Sequence, residues 1–168
     1  ADEADAGVQN EPVALDEVVR ETVLRYLPRA DAAGVDLGVH GLDRPVHVAG
    51  NVTLIEGILG NLLDNALRYG RAPAGQASTL TVELACEGEG VRLLVIDNGP
   101  GLTSQERQHL MRRGVRGLHA ERLGQGAGLG LAIVAKFAQL MQAHFALSHA
   151  PAGPGLCASV DFQLLSRS

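Results

Sequence analysis

Tryptophan is absent from this 168-residue sequence, and aromatic residues of all kinds make up only 3% of it. The core must therefore be filled by Leu, Val, Ile and Ala, which favours aliphatic packing of helices on a sheet. There are only two cysteines, Cys86 and Cys157, far apart in apolar, strand-like stretches. That spacing excludes the paired motifs of redox and zinc sites, and both thiols are expected to be buried and reduced. Basic charge is not in excess either: 14 Lys and Arg against 19 Asp and Glu give a net charge of −5 and a pI near 5.6. A broad phosphate-gripping surface for nucleic acid is thereby excluded, and any anion site must be local. No stretch approaches the roughly 18 apolar residues that span a bilayer, and the acidic opening ADEADAGVQN carries no secretion signal, so a soluble, intracellular chain is expected.

What is present reads as one domain. Residues 1–11 are small and polar, as in a flexible linker stump, and residues 12–168 form the domain proper. Leu15, Val18, Val19, Val23 and Leu27 fall at helical spacing, and Pro28 is expected to end that helix. Residues 35–48 suit two small strands around Gly41 and Asp43. A long helical pattern runs from Asn51 to Tyr69, with Gly70 placed to stop it. Strands at 79–87 and 91–97 are joined by a hairpin turn. Residues 102–124 show little periodicity and are too long for an ordinary connection, which suggests a functional loop holding a helical turn or two. A last helix over about 127–142 and strands at 143–148 and 157–164 complete the chain.

Three segments carry chemistry. On the helix at 51–69, Asn61, Asn65 and Arg68 fall within about 60° of one another, beside an apolar arc of Ile55, Ile58, Leu59, Leu62, Leu63 and Ala66. Two Asn at i and i+4 read first as a solvated polar face, but asparagine lowers helix propensity, so two of them facing one way in mid-helix also invite a functional explanation. A carboxamide oxygen ligates Mg2+ without adding negative charge beside phosphates. In the second segment, Asp97-Asn98-Gly99-Pro100-Gly101, a turn explains the Asn, Gly and Pro but not the carboxylate ending an apolar strand. Partly desolvated, Asp97 needs donors such as an exocyclic amine, while Gly99 and Gly101 keep the backbone open to a ligand. Third, Gly124, Gln125, Gly126, Gly128, Leu129 and Gly130 lead into the last helix. Alternating glycines there leave free N–H groups and the positive end of the helix dipole facing outward, which suits phosphate.

In this order and spacing the segments resemble the N, G1 and G2 boxes of the histidine kinase branch of the ATPase superfamily that also includes gyrase. The N box is Asn61-Leu62-Leu63-Asp64-Asn65-Ala66-Leu67-Arg68-Tyr69, the G1 box Asp97 to Gly101, and the G2 box Gly124 to Gly130. The similarity covers about residues 13–164. It implies a two-layer α/β sandwich in which a mixed sheet of about five strands packs against three helices. The chain would then be the catalytic ATP-binding domain of a two-component sensor histidine kinase.

The resemblance also implies individual roles. Asn65 would hold Mg2+ with Asn61 and Gln125, Arg68 would meet phosphate, Tyr69 would cover adenine, and Asp97 would read its amino group. Residues 102–124 would be the ATP lid, whose Arg113 and Arg116 are candidates for phosphate. Where hydrolysing relatives carry a water-activating Glu, four residues before Asn65, this chain has Asn61, a poor base, which favours transfer to a protein acceptor over hydrolysis. The lid departs from the family by lacking Phe; Leu110, Met111 and Val115 stand in that stretch. Ala143-His144 replaces a frequent Gly pair and is expected to alter only the turn.

His40 with Pro45 superficially matches a phosphoacceptor box, but Gly41 replaces its acidic residue in a strand-and-turn context. The other five histidines show no metal spacing. The implied partners are the helical dimerisation and phosphoacceptor domain of the same kinase and a response regulator, with no nucleic acid. As an isolated monomer the domain should bind ATP and not autophosphorylate. It would be cytoplasmic, on its own or as the cytoplasmic part of an inner-membrane sensor kinase. The other readings are a free-standing serine kinase of the anti-sigma-factor type and a nucleotide-binding module without phosphotransfer.

Overall fold

The computed structural model describes residues 8–113 and 127–166. Among these the chain runs β1 (Glu11–Ala14), α1 (Leu15–Ala32), β2 (Val35–His40), β3 (His47–Gly50), α2 (Val52–Tyr69), β4 (Ser78–Glu87), β5 (Gly90–Asp97), α3 (Ser104–Arg113), α4 (Ala127–Leu140), β6 (His144–His149) and β7 (Leu156–Ser166). The strands form one mixed sheet in the order β1-β3-β7-β5-β4-β2, with β6 also on β7. Only β2 and β4 pair in parallel; the other pairs are antiparallel. The α/β class is the expected one, with seven strands among the described residues where the sequence suggests about five. One addition is β1, whose four residues are too few to show an alternating pattern in the sequence.

Period-two alternation decides what the sheet turns toward the helices. Leu80, Val82 and Leu84 on β4 sit opposite Asp97, Val95 and Leu93 on β5, and Val91, Leu93 and Val95 in turn oppose Phe162, Val160 and Ala158 on β7. All of these side chains are buried. Asp97 is simply the last member of the inward row Val91, Leu93, Val95, so the strand delivers a carboxylate into the helix-facing layer.

Helix α2 covers that row. Asn51 caps it by accepting from the Leu54 N–H at 3.0 Å, and Ile55, Ile58, Leu59, Leu62, Leu63 and Ala66 are buried on its inner face. Each of the Ile and Leu side chains contributes roughly 1.5–3 kcal/mol on burial. Helix α4 crosses α2 closely: a β-carbon on Gly57 would stand 2.6 Å from Phe137 Cε2. Helix α1 is fixed at its start, where Leu15 N–H donates to Val46 O at 2.8 Å and the buried Asp16 carboxylate accepts from Val46 N–H at 2.9 Å.

Four sequence expectations need correction. Pro28 does not end α1 but lies inside it. Its missing N–H leaves the carbonyl of Leu24, a residue 58% exposed, to water, while buried Ala30 and an ion pair from Arg29 to Asp64 hold the last turn down. Residues 10 and 11, read as linker, are held instead: Asn10 Nδ2 donates to Met141 O at 2.8 Å and Glu11 begins β1; residues 1–7 lie outside the described residues. Cys157 is buried but Cys86 is exposed, because it sits near the hairpin end of β4, past the helical cover. Finally, α3 gives the described part of the 102–124 stretch ten helical residues rather than a turn or two. Its start is a reciprocal cap: Thr103 N–H donates to Glu106 Oε1 at 2.9 Å and Glu106 N–H to Thr103 Oγ1 at 3.1 Å. Among the described residues no helix is long and apolar enough to cross a membrane.

Candidate functional site

A cavity opens between the C-terminal half of α2, the end of β5, the Gly101–Leu102 segment with Leu110 of α3, and Leu131 near the start of α4. Leu62, Ala66, Val95, Leu110, Leu131 and Ala158 give it apolar walls, and Asn65, Tyr69 and Asp97 supply its polar groups. An apolar slot with a few convergent polar groups suits a flat heterocycle with polar edges.

Asp97 is the most constrained of these groups. It is 7% exposed, and its Oδ1 accepts from Gly99 N–H at 3.0 Å and Leu156 N–H at 3.1 Å. Both bonds fall on one oxygen, leaving Oδ2 beside Gly70, whose β-carbon position would lie 2.3 Å from it. Burial pushes the carboxyl above its ordinary range, and the two backbone N–H groups partly offset that rise. The group is therefore a held acceptor, short of donors, on an apolar wall.

Glycines let the walls approach. Gly99 packs on Gly70, with 2.5 Å between its β-carbon position and the Gly70 carbonyl carbon. Gly101, at φ +71, turns the chain in the left-handed region toward Gly155, and Gly101 itself lines the cavity.

The amide stripe meets α4. A β-carbon on Gly130 would stand 3.2 Å from Asn65 Oδ1 and 3.4 Å from Asn61 Oδ1, so a larger residue there would crowd both amides. Asn61 Nδ2 donates back to Gly57 O at 2.7 Å, which turns its oxygen outward from the helix. Asn65 Nδ2 is buried and has no hydrogen-bond partner among the described residues. An unmade bond of this kind is costly and is resolved when a ligand or water fills the space.

Of the residues singled out in the sequence, Asn65, Tyr69, Asp97 and Gly101 meet around the cavity, and Asn61 and Gly130 adjoin it. Gly99 is buried behind it, against Gly70. Arg68 is exposed in the last turn of α2 and does not line the cavity. Arg116, Gly124, Gln125 and Gly126 lie outside the described residues. Arg113 ends α3, and Gly128 and Leu129 belong to the first turn of α4; nothing of their side chains is described. Two features went unnoticed in the sequence. Leu156 supplies a backbone N–H and so leaves no side-chain signal, whereas Thr103-x-x-Glu106 is a legible capping pattern.

Among the described residues no cluster of three or more His, Cys, Asp or Glu exists that would hold a metal ion. Metal-binding capacity at this site would therefore rest on amide oxygens and on the oxygens of a ligand.

The family described as histidine kinase-, DNA gyrase B- and HSP90-like ATPase matches residues 50–166. Sensor protein kinase PmrB of Pseudomonas aeruginosa is 32% identical over 148 residues, covering 88% of this chain and 30% of that protein. The chain thus spans under a third of that relative's length. Among solved structures, a mycobacterial sensor histidine kinase, MprB, superposes with a TM-score of 0.71 at 26% identity, over 92% of this chain and 97% of that one. The catalytic domain of histidine kinase ThkA gives 0.76 at 18% identity, over 93% and 96%, a likeness of fold alone.

Proposed function

Since this chain belongs to the histidine kinase-, DNA gyrase B- and HSP90-like ATPase family and has the fold of sensor-kinase catalytic domains, we propose that it binds Mg-ATP in the α2–β5–α4 cavity and donates the γ-phosphoryl group to a histidine on a separate helical domain. A response regulator would receive the phosphoryl group next, in the cytoplasm.

One observation carries the nucleotide reading. Asp97 is buried, its Oδ1 is saturated by two backbone N–H groups, and its second oxygen is left beside an apolar slot. Adenine presents an amino donor on a flat apolar ring and fits both features. Tyr69 supplies ring area along the same slot. The residues also suit Mg2+: neutral amide oxygens of Asn61 and Asn65 at the start of α4 would hold it, and the orphaned Asn65 Nδ2 would find an acceptor in a phosphate oxygen. Bound there, the ion would neutralise phosphate charge.

The chain's own contribution is position. Asp97 fixes the base, Asn65 and the first turn of α4 fix the phosphates, and no carboxylate stands at position 61 to activate water. Transfer to an aligned acceptor is thereby favoured over hydrolysis. Titration calorimetry with AMP-PNP, with and without Mg2+, tests the binding; no heat at millimolar nucleotide would sink the proposal. Adding the cognate helical domain with ATP should then yield acid-labile, base-stable phosphate. Acid-stable phosphoserine would replace the histidine reading with a serine kinase, and binding without transfer would leave a nucleotide-binding module.

A further inference from the structure

We propose that Asn98 is the positioning residue for Asp97, and through it for base selectivity; the inference rests on the nucleotide reading above. The β4–β5 ladder ends with Leu80 opposite Asp97. One step further, an uninterrupted antiparallel pair would set the backbone of residue 98 against Thr79. The side chain takes that place instead. Asn98 Oδ1 accepts from Thr79 N–H at 2.8 Å and Asn98 Nδ2 donates to Ala77 O at 2.8 Å.

A carboxamide offers the same donor and acceptor as a peptide group. Strand β4 therefore keeps its bonding while the backbone after Asp97 is released to turn. Released, it folds back so that Gly99 N–H reaches Asp97 Oδ1 at 3.0 Å, and Gly99 seats on Gly70. The turn is thus held from two sides: against α2 by the Gly99–Gly70 contact, and against β4 by Asn98. Removing the second hold frees residues 98–99 to shift, and the carboxylate loses a backbone donor that fixes which oxygen faces the cavity.

Thr79 and Ala77 are exposed, so water replaces these two bonds at little cost to the fold. The effect falls on the site. An adenine amino group donates to a correctly aimed carboxylate, whereas hypoxanthine puts a carbonyl acceptor in the same place and is repelled. Selectivity between the two bases reports the aim of Asp97, and general loosening of the domain weakens both ligands alike.

The test is calorimetric titration of the whole chain with ADP and with IDP, each with Mg2+, for wild type, Asn98→Ala and Asn98→Asp. Circular dichroism melts of each protein accompany the titrations. In Asn98→Asp one oxygen still accepts from Thr79 while the other repels Ala77 O, so folding is retained and the clamp is half broken. Wild type should prefer ADP by at least about tenfold, and both variants should narrow that preference to within about threefold. Variants that keep the wild-type ratio overturn the inference, even if both affinities fall together. Equal wild-type binding of ADP and IDP removes the adenine role of Asp97 and this inference with it, and no wild-type binding of either removes the nucleotide reading as well.

Discussion

Gly70 lies directly against the Asp97 carboxylate, with 2.3 Å between the position of a β-carbon on residue 70 and Asp97 Oδ2. The helix that carries the amide stripe therefore ends on the acceptor of the opposite wall. Both halves of the cavity are set by a contact that tolerates no side chain.

Gly70→Ala tests this contact without confounding strain. Residue 70 has φ −100 and ψ 24, open to any L-residue, so any loss comes from crowding at Asp97 and at Ala66 O. Stability in urea titrations should fall by about 1–3 kcal/mol. Adenine nucleotide affinity should fall at least about tenfold, as expected when a buried polar partner is misplaced. An alanine variant that binds nucleotide as wild type does would show that Asp97 is not the base contact.

The raised carboxyl pKa of Asp97 gives a pH dependence of known sign. Burial is the dominant cause, so the ionised form is disfavoured in the folded state. With its folded pKa above the unfolded value, this group contributes stability that is fully present below the unfolded pKa, about 3.9, and lost as pH rises through the folded pKa. If Asp97 accepts from adenine as proposed, nucleotide binding should run the other way, because the acceptor must be ionised. Affinity should weaken on acidification with a midpoint above the ordinary carboxylate range. Asp97→Asn retains an oxygen for the Gly99 and Leu156 N–H groups and should fold, but it should lose adenine affinity and this acid limb. Affinity titrations across pH on both proteins check it; an unchanged acid limb in Asp97→Asn would assign it to another group.

How far the sequence spoke for this site follows from the range of each interaction. The periodic arc of α2 and the alternating row ending in Asp97 are local patterns, so the helix, the strand and the inward carboxylate were legible in order. Leu156 is 59 residues from Asp97 in sequence and acts through its backbone, so nothing in its identity betrayed the bond. Asn98 read as an ordinary turn residue because its two partners, Thr79 on β4 and Ala77 just before that strand, are 19 and 21 residues away in sequence. Pro28 misled for the opposite reason: a local rule was overruled by the pairing of Arg29 with Asp64 on α2 and by the burial of Ala30.

Asn65 should trade stability for binding. Its Nδ2 is buried without a partner among the described residues, so Asn65→Ala removes an unmet donor in the ligand-free protein. Such a donor costs about 1–3 kcal/mol, and the variant should melt at or above the wild-type temperature without ligand. In the presence of Mg2+ and nucleotide the order should reverse, because the wild type gains binding stabilisation that the variant lacks. Melting curves with and without Mg-ADP measure both. A variant that loses stability without ligand and still binds would make Asn65 a packing residue.

Gln142 closes α4 in a conformation that costs it energy. It is the one described non-glycine residue at positive φ, +60, in the turn where Ala143 N–H returns to Ala138 O at 2.9 Å. A left-handed L-residue is disfavoured by roughly 1–2 kcal/mol, and glycine gives back part of that through its greater freedom when unfolded. Gln142→Gly should therefore raise stability by about 0.5–1 kcal/mol, or roughly 1–4 °C in melting temperature. The turn lies at the opposite end of α4 from Gly130, so nucleotide affinity should not move. If it did, the two ends of α4 would be coupled, and the site could not be treated as set locally by α2 and the Asp97 turn.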